Sequence, residues 1–262
     1  MTLQQPNPPR VLAVANQKGG VGKTTTAINL GTALAQAGFR CLIIDLDPQG
    51  NASTGLGVPA NQREMTVYEA LAGEAELHSV LQPTAVENLL LAPSSIDLSG
   101  IDVELVDTAD RTLRLRGMIE SLSGQPEVPH FDYVLIDCPP SLNLLTVNAM
   151  VAAHAVLVPL QCEFFALEGL SQLLATIRQV RQTLNDGLRV AGIVLTMYDQ
   201  RNRLSGQVAE DVRENLGDVV FSTIIPRNVR LSEAPSHATP ALIYDATCAG
   251  SQAYIALARE LL

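Results

Sequence analysis

Hydrophobic and polar positions fall into blocks along the whole chain. Short continuous apolar runs stand at Val11–Ala15, Cys41–Ile44, Leu89–Ala92, Tyr133–Ile136, Ala155–Pro159, Val190–Thr196 and Val219–Ile225, and runs of this length bounded by turn residues predict buried strands. Between them lie segments with apolar residues at helical spacing: Ala27–Ala37, with Gly38 placed to end it, Met65–Ala72, a long amphipathic stretch over Val103–Leu122, Leu170–Leu184 and a last helix over Gly250–Leu262. Gly124 to Pro129 reads as a loop. Strands alternating with helices predict an α/β fold, a doubly wound and mainly parallel sheet with helices on both faces. Folds of that kind bind ligands beyond the C-terminal ends of their strands, so the residues that leave each apolar run are the first place to look for chemistry.

Composition narrows the class. The 262 residues suit a single domain, expected over 11–262 and preceded by a flexible tail over 1–10 that holds three prolines. Apolar residues make up 47% and aromatic residues only 4%, with no Trp, so Ala, Leu, Val and Ile must fill the core. No apolar run reaches the roughly 18 residues of a membrane span, and Met1–Arg10 lacks the features of a signal peptide; a cytoplasmic protein is expected. Cys41, Cys138, Cys162 and Cys248 form no C-x-x-C pair, which offers neither a disulfide framework nor a zinc or iron–sulfur site. A formal charge of −10 argues against wholesale attraction to nucleic acid. From Arg178 to Arg230, however, eight arginines stand against six acids, a composition that fits either a basic face or an ordinary mixed surface.

The first strand runs into Gln17-Lys18-Gly19-Gly20-Val21-Gly22-Lys23-Thr24-Thr25, and a helical pattern follows. Three glycines free the backbone to turn its N–H groups around an anion, and the helix points the positive end of its dipole at the same place. Phosphate is the natural guest. Lys23 would reach the β- and γ-phosphates as a point charge, and the Thr24 hydroxyl would give one oxygen to Mg²⁺, a cation that keeps most of its waters. The plain P-loop pattern G-x-x-x-x-G-K-S/T fails at Gln17, and a second lysine, Lys18, stands in the loop. Lys18 and Lys23 are the only lysines in the chain, so ammonium groups are needed here in a way they are needed nowhere else.

Two more strands end in carboxylates. Cys41–Ile44 leads into Asp45-Leu46-Asp47-Pro48-Gln49-Gly50-Asn51, where period-2 geometry puts Asp45 and Asp47 on one side of the extended chain; either alone could also be a turn or N-cap residue. Tyr133–Ile136 leads into Asp137-Cys138-Pro139-Pro140-Ser141. Asp137 suits a Walker B role, accepting a hydrogen bond from Mg²⁺-bound water or from Thr24; the alternative is a plain helix start capped by Ser141. The Pro–Pro pair stiffens that exit.

At Lys18-Gly-Gly-Val-Gly-Lys-Thr24 the chain resembles the deviant Walker A ATPases, the family of ParA, MinD and the nitrogenase iron protein. Asp45-Leu-Asp-Pro-Gln-Gly-Asn51 is similar to switch I of ParA proteins, Asp137 to Ser141 to switch II, Glu163-Phe-Phe-Ala-Leu-Glu-Gly169 to a string typical of chromosomal ParA proteins, and Pro226-Arg-Asn-Val-Arg-Leu-Ser-Glu-Ala-Pro-Ser236 to the ParA consensus. The resemblance spans Val11 to Leu262. It implies ATP and Mg²⁺ as cofactors, a loop from Lys18 through Gly19, Gly20, Val21, Gly22, Lys23 and Thr24 to Thr25 around the phosphates, and adenine near Met197, Pro226 and Asn228. It implies that Lys18 crosses an ATP-sandwiched homodimer to the partner's phosphates and that Asp47 positions the attacking water. It makes Arg201 and Arg230 candidates for gripping DNA phosphates without reading bases, with surface salt bridges as their alternative. It makes the Phe164–Phe165 string part of a dimer face, with a core aromatic pair as its alternative.

The expectation is a Soj-type ParA ATPase, cytoplasmic and nucleoid-associated: its ATP-bound dimer holds non-specific double-stranded DNA, and a ParB-like partner stimulates a weak hydrolysis that releases it. The last helix carries one Arg and one Glu, unlike the basic membrane-binding helix that ends MinD-like proteins, so no membrane partner is expected. The short N-terminus leaves no room for the helix-turn-helix domain of longer ParA proteins. Two rivals remain: a relative that positions another cargo, such as a chemoreceptor cluster or cellulose-synthesis machinery, and a dethiobiotin-synthetase-like ligase of the same fold.

Overall fold

The structure is a computed structural model that describes residues 8–123, 125, 127–163 and 166–262. Phe164 and Phe165, the expected dimer-face aromatics, lie outside the described residues, as do Gly124 and Pro126 of the predicted loop and residues 1–7 of the predicted tail. Eight strands are described: β1 (Arg10–Val14), β2 (Cys41–Asp45), β3 (Gln82–Pro83), β4 (Leu89–Ala92), β5 (Tyr133–Asp137), β6 (Ala155–Gln161), β7 (Arg189–Tyr198) and β8 (Val220–Pro226). They form one sheet in the order β3-β4-β2-β5-β1-β6-β7-β8. Only the β3–β4 pair at the edge is antiparallel.

The helices are α1 (Lys23–Gln36), α2 (Asn51–Gly55), α3 (Val67–Ala72), α4 (Ile101–Glu104), α5 (Arg114–Leu122), α6 (Leu144–Ala152), α7 (Ala166–Thr183), α8 (Arg203–Leu216), α9 (Val229–Glu233), α10 (Ala241–Tyr244) and α11 (Ala249–Leu261). They cover both faces of the sheet, and strand side chains divide between two cores with period 2. Leu12 and Val14 of β1 and Cys41 and Ile43 of β2 pack with Leu30 and Leu34 of α1 and Leu257 of α11. Val11 and Ala13, and Leu42 and Ile44, face the other way, onto Leu115 of α5, Leu145 of α6, Leu173 of α7 and Val212 of α8. Burying a leucine this fully stabilises the fold by about 2 kcal/mol, and strands covered on both faces read as unbroken apolar runs for that reason.

The predicted elements stand within a few residues of the observed ones, and Gly38, at φ 95°, ends α1 as expected. One element is corrected. Val103–Leu122 is not a single helix: α4 stops at Glu104, and turns carry the chain to α5 through bonds such as Thr108 N to the Leu105 carbonyl and Leu113 N to the Asp110 carbonyl. A side chain from α6 decides this. Asn148 donates to the Arg111 carbonyl at 2.8 Å and accepts from Leu115 N at 3.2 Å, which satisfies the start of α5 from outside; the polar Asp107–Asp110 run favours turns over helix. The edge strand β3, the helices α6 and α8 and the short helices α2, α9 and α10 have no counterpart among the elements expected from sequence.

The sheet order puts β1 between β5 and β6, with chain progression diverging to the two sides. In the register Val14 pairs Asp137 and Asp45 pairs Asp137. The exits of β1, β2 and β5 therefore sit side by side at one edge, the crevice where this fold class binds ligands.

Candidate active site

The turn between β1 and α1 is shaped before any ligand acts on it. Asn16 Nδ2 donates to the Pro159 carbonyl at 2.8 Å while its Oδ1 accepts from Lys18 N at 3.1 Å, which fixes the start of the loop. Thr196 on β7 holds the far side through a 2.8 Å bond to the Val21 carbonyl. Gly20 and Gly22 lie at φ 76° and 89°, a region in which other residues are strained. Lys23 is buried and arches over the loop, its Nζ donating to the Lys18 carbonyl at 3.0 Å. Burial lowers its pKa, and Asp137, Cys138 and Asp47 pull it back up. Lys18 instead projects outward, its side chain 41% exposed, and forms an ion pair with Glu163 beyond β6.

A cleft of about 460 Å³ opens above this loop. Gly19, Gly20, Gly22, Lys23, Thr24 and Thr25 form its floor, and Asp47, Asn51, Thr54 and Pro140 stand along the wall. A second lobe of about 500 Å³ is lined by Met197, Pro226 and Asn228. The two cavities are neighbours, with Gly22, Thr25, Met197, Leu231 and Pro235 lining both. The glycine-rich loop at one end suits a phosphate tail, and the mixed wall at the other, where Met197, Ile225, Pro226 and Leu231 stand among Arg227, Asn228 and Ser232, has both apolar surface and polar groups for a flat base. Met197 takes φ 50° at the turn out of β7, and Asn228 caps α9 by accepting from Arg230 N at 2.9 Å. Val21 is buried and contributes backbone to the loop.

The three acids differ sharply. Asp45 is fully buried and satisfied: Ser53 N and Oγ donate to its Oδ2 at 2.8 and 2.7 Å, and Asp47 N to its Oδ1 at 3.2 Å. It anchors the segment after β2. Asp47 lines the cleft, with Oδ1 accepting from Gln49 N at 3.0 Å. Asp137 is fully buried, and neither oxygen makes a well-formed hydrogen bond, although the Thr24 hydroxyl lies near enough to favour the charged form. Burial, then the neighbouring Asp45, raises its pKa well above the usual carboxylate range; Thr24 and Lys23 counter this only in part. The Ser141 alternative fails, because Asn143 caps α6, accepting from Thr146 N at 3.3 Å.

A buried carboxylate beside Thr24 with no well-formed hydrogen bond needs an explanation, and the chemistry of hydrated Mg²⁺ supplies one. Such a cation arrives with phosphate oxygens and waters and takes few protein ligands. Thr24 would give it one oxygen, and Asp137 would accept from its water. Among the described residues no group of three or more His, Cys, Asp and Glu could hold a metal by itself.

A family model described as an AAA domain matches residues 9–190. The chromosome partitioning protein ParA of Caulobacter vibrioides is 60% identical over 256 residues, covering 98% of this chain and 95% of that protein. The chain belongs to the ParA/Soj family of chromosome-partitioning ATPases. The chromosome-partitioning ATPase Soj of Treponema pallidum is 53% identical over 253 residues, 97% of each chain. Among solved structures, cobyrinic acid a,c-diamide synthase from Mycobacterium smegmatis, with bound ADP and magnesium, superposes with a TM-score of 0.82 at 39% identity, over 96% of this chain and 93% of that one.

Arg201 and Arg230 make the surface salt bridges that stood as the alternative to DNA contact. Arg201 is largely exposed, and its Nε and Nη2 each bond Asp199 at 3.0 Å. Arg230 bonds Glu233 at 2.9 Å, approaches Asp245 at 3.5 Å and lies 5.9 Å from the Tyr244 ring centroid. Both keep a solvent-facing side, and both must share or release an acid to take a phosphate. Residues that sequence reasoning missed also converge on the site: Glu163 on Lys18, Ser53 on Asp45, and Arg63 and Ser94 on the Asp47 segment. Within the chain only the Asp45–Ser53 spacing, an acid eight residues before a serine, carried any local trace of this.

Proposed function

We propose that this chain is a cytoplasmic, nucleoid-associated DNA-segregation ATPase that cycles between a DNA-bound ATP dimer and a released form. The observation that carries the reading is the division of labour between its only two lysines: Lys23 is buried over the loop, while Lys18 faces outward from the rim of the same cleft. A lysine so placed serves a phosphate tail on a second copy of the chain more readily than its own. ATP lies along the cleft with its phosphates on Gly19–Thr25 and its adenine between Met197, Pro226 and Asn228. Mg²⁺, when bound, neutralises charge on the β- and γ-phosphates. Asp47 holds the attacking water in line, which is most of what phosphoryl transfer asks of a protein.

The ATP dimer brings Arg201 and Arg230 of both copies onto the phosphates of any duplex DNA. Doubling weak contacts on one lattice makes retention depend on dimerisation. A ParB-like partner accelerates an otherwise slow hydrolysis, and release of DNA follows, so that a ParB–centromere cargo is moved or positioned. Among the described residues no helix is long and apolar enough to cross a membrane, and no membrane partner enters the cycle.

The test is retention on non-specific duplex DNA with ATP, with ADP and without nucleotide, beside a Lys18→Ala variant. Retention with ATP alone, lost in the variant, is the expected result. Equal retention in every state, or none in any, overturns the cycle. The likeness to the solved cobyrinic acid a,c-diamide synthase keeps one rival in view, a small-molecule ligase; it predicts ATP turnover stimulated by a small carboxylic acid and indifferent to DNA.

A further inference from the structure

Arg63 follows the short helical turn Ala60–Gln62, outside every motif of the chain. Its guanidinium makes four bonds: Nε to the Val58 carbonyl at 3.0 Å, Nη1 to the Ser94 carbonyl at 3.1 Å, and Nη2 to the Gly50 carbonyl at 3.0 Å and to Thr54 Oγ1 at 2.7 Å. All four acceptors are neutral. They come from the segment after β2, from the loop that follows α2 and from the end of β4. A planar fork with five donors can join three pieces of backbone in this way; an ammonium cannot.

What the fork joins is the support of Asp47. Ser94, whose carbonyl Arg63 holds, donates its hydroxyl to the Asp47 carbonyl at 2.6 Å and its N–H to Ser53 Oγ at 3.0 Å. The peptide between Asp47 and Pro48 is thus pinned at its oxygen, and the proline ring fixes the next φ. With Gln49 N bonded to Asp47 Oδ1, little remains for the carboxylate but its observed direction into the cleft. Gly50 and Thr54, held by the other prong, bracket the cleft-lining Asn51.

We infer that Arg63 is a positioning residue for hydrolysis: it clamps the Asp47–Thr54 segment to Ser94 at the end of β4, so that Asp47 stays aimed at the phosphates. The inference rests on the reading of Asp47 as the residue that positions water. Arg63 touches neither nucleotide nor water itself. Its effect falls mainly on the rate of the chemical step, because the phosphate loop is held separately by Asn16 and Thr196 and only the wall at Asn51 and Thr54 shares the clamp.

The experiment measures single-turnover hydrolysis of bound ATP, and ATP affinity by titration, in the full chain and in Asp47→Ala, Arg63→Ala, Arg63→Lys and Ser94→Ala. Asp47→Ala should abolish hydrolysis. Arg63→Ala should slow it by about ten- to a hundredfold, the cost of misplacing a reacting group by a fraction of an ångström to an ångström, with affinity within about twofold of the parent. Arg63→Lys should recover only part of the rate, and Ser94→Ala should fall in the same direction. An unchanged rate in Arg63→Ala, or a rate and an affinity that fall together, overturns the clamp while leaving the function intact. Should Arg63→Ala not fold, unchanged rates in both Arg63→Lys and Ser94→Ala overturn it. Hydrolysis at the parent rate in Asp47→Ala overturns the underlying reading and the clamp with it.

Discussion

Asp45 and Asp137 are register partners on the neighbouring strands β2 and β5, so two buried carboxylates end side by side. One is satisfied by three donors, and the other makes no well-formed hydrogen bond. Burial raises the pKa of both; Asp45 and then Asp47 raise that of Asp137 further, and Asp47 raises that of Asp45. Keeping these carboxyls ionised is therefore costly, and Lys23 and Thr24 offset that cost at Asp137 only in part. That cost stabilises nothing in the fold, and a cation bound beside Asp137 would relieve it.

Asp137→Asn should make the nucleotide-free, Mg²⁺-free protein more stable. A carboxyl whose pKa is raised by folding binds its proton more tightly folded than unfolded, so the folded state loses stability as pH rises and the carboxyl ionises. The asparagine escapes that loss. The stability gap between variant and parent should be about 1–3 kcal/mol near pH 8 and should shrink as pH falls, closing only near about 4, the ordinary carboxylate pKa, below which the parent carries its proton both folded and unfolded. Thermal unfolding across that range measures it. A variant less stable than the parent near pH 8 would show that Asp137 is held by donors after all. The same variant should lose the Mg²⁺-dependent part of its nucleotide affinity.

How far the sequence reveals the site depends on how local each interaction is. Lys18 to Thr25 is contiguous, and glycine spacing speaks for its placement directly; Asp45 and Asp47 are also close in sequence, but β2 ends at Asp45 and the turn closed by Asp47 N on Asp45 Oδ1 sends Asp45 onto Ser53 and leaves Asp47 in the cleft. That Asp45 meets Asp137 is a matter of strand order across 92 residues, invisible in either string. Arg63 bonds backbone carbonyls, which every residue carries, so no residue pattern announces its partners. The division of Val103–Leu122 was hidden for the same reason: its amphipathic spacing is real, but Asn148 of α6 interrupts it from outside. Apolar runs identified seven of the eight strands because burial on both faces leaves a strong signal; β3, two residues at an edge, leaves almost none.

Glu163→Gln should favour the dimer. The ion pair to Glu163 holds Lys18 on its own protomer, and Lys18 must let go before it can serve a partner's phosphates. Both side chains are partly exposed, so the pair is worth at most about 1 kcal/mol. Removing the charge should lower the protein concentration needed for ATP-dependent dimerisation by about two- to fivefold. Sedimentation with a non-hydrolysed ATP analogue reads this directly. Weaker dimerisation would mean that Glu163 itself contributes to the contact between protomers.

Gly250→Ala should damage nucleotide binding from behind. A Cβ at Gly250 in α11 would fall 2.5 Å from Leu231 Cγ and 2.7 Å from its Cδ1. Leu231 lines both lobes of the cleft, so the displaced side chain moves toward the base. Overpacking costs about 1–3 kcal/mol, and the gain in helix propensity returns up to about 1 kcal/mol. Folding should survive, while ADP affinity falls by about tenfold, set by how far Leu231 intrudes. Calorimetric titration beside a melting curve separates the two effects. Unchanged affinity would show that α9 shifts as a body and leaves the pocket open.

Arg230→Glu should remove DNA retention and leave ATP-dependent dimerisation in place. Arg230 bonds Glu233 and approaches Asp245, but half of its side chain remains exposed, and such surface pairs are weak enough to exchange for a phosphate. Each arginine that neutralises a phosphate adds about 0.9 to the slope of log affinity against log salt. Retention by the parent should therefore decline with salt, and a milder Arg230→Ala variant should show a shallower slope by about two contacts per dimer. Loss of dimerisation together with DNA binding would assign Arg230 a different task. Its ties to Glu233 and Asp245, with its place over Tyr244, would then be the bonds that hold α9 against α10 beside the base.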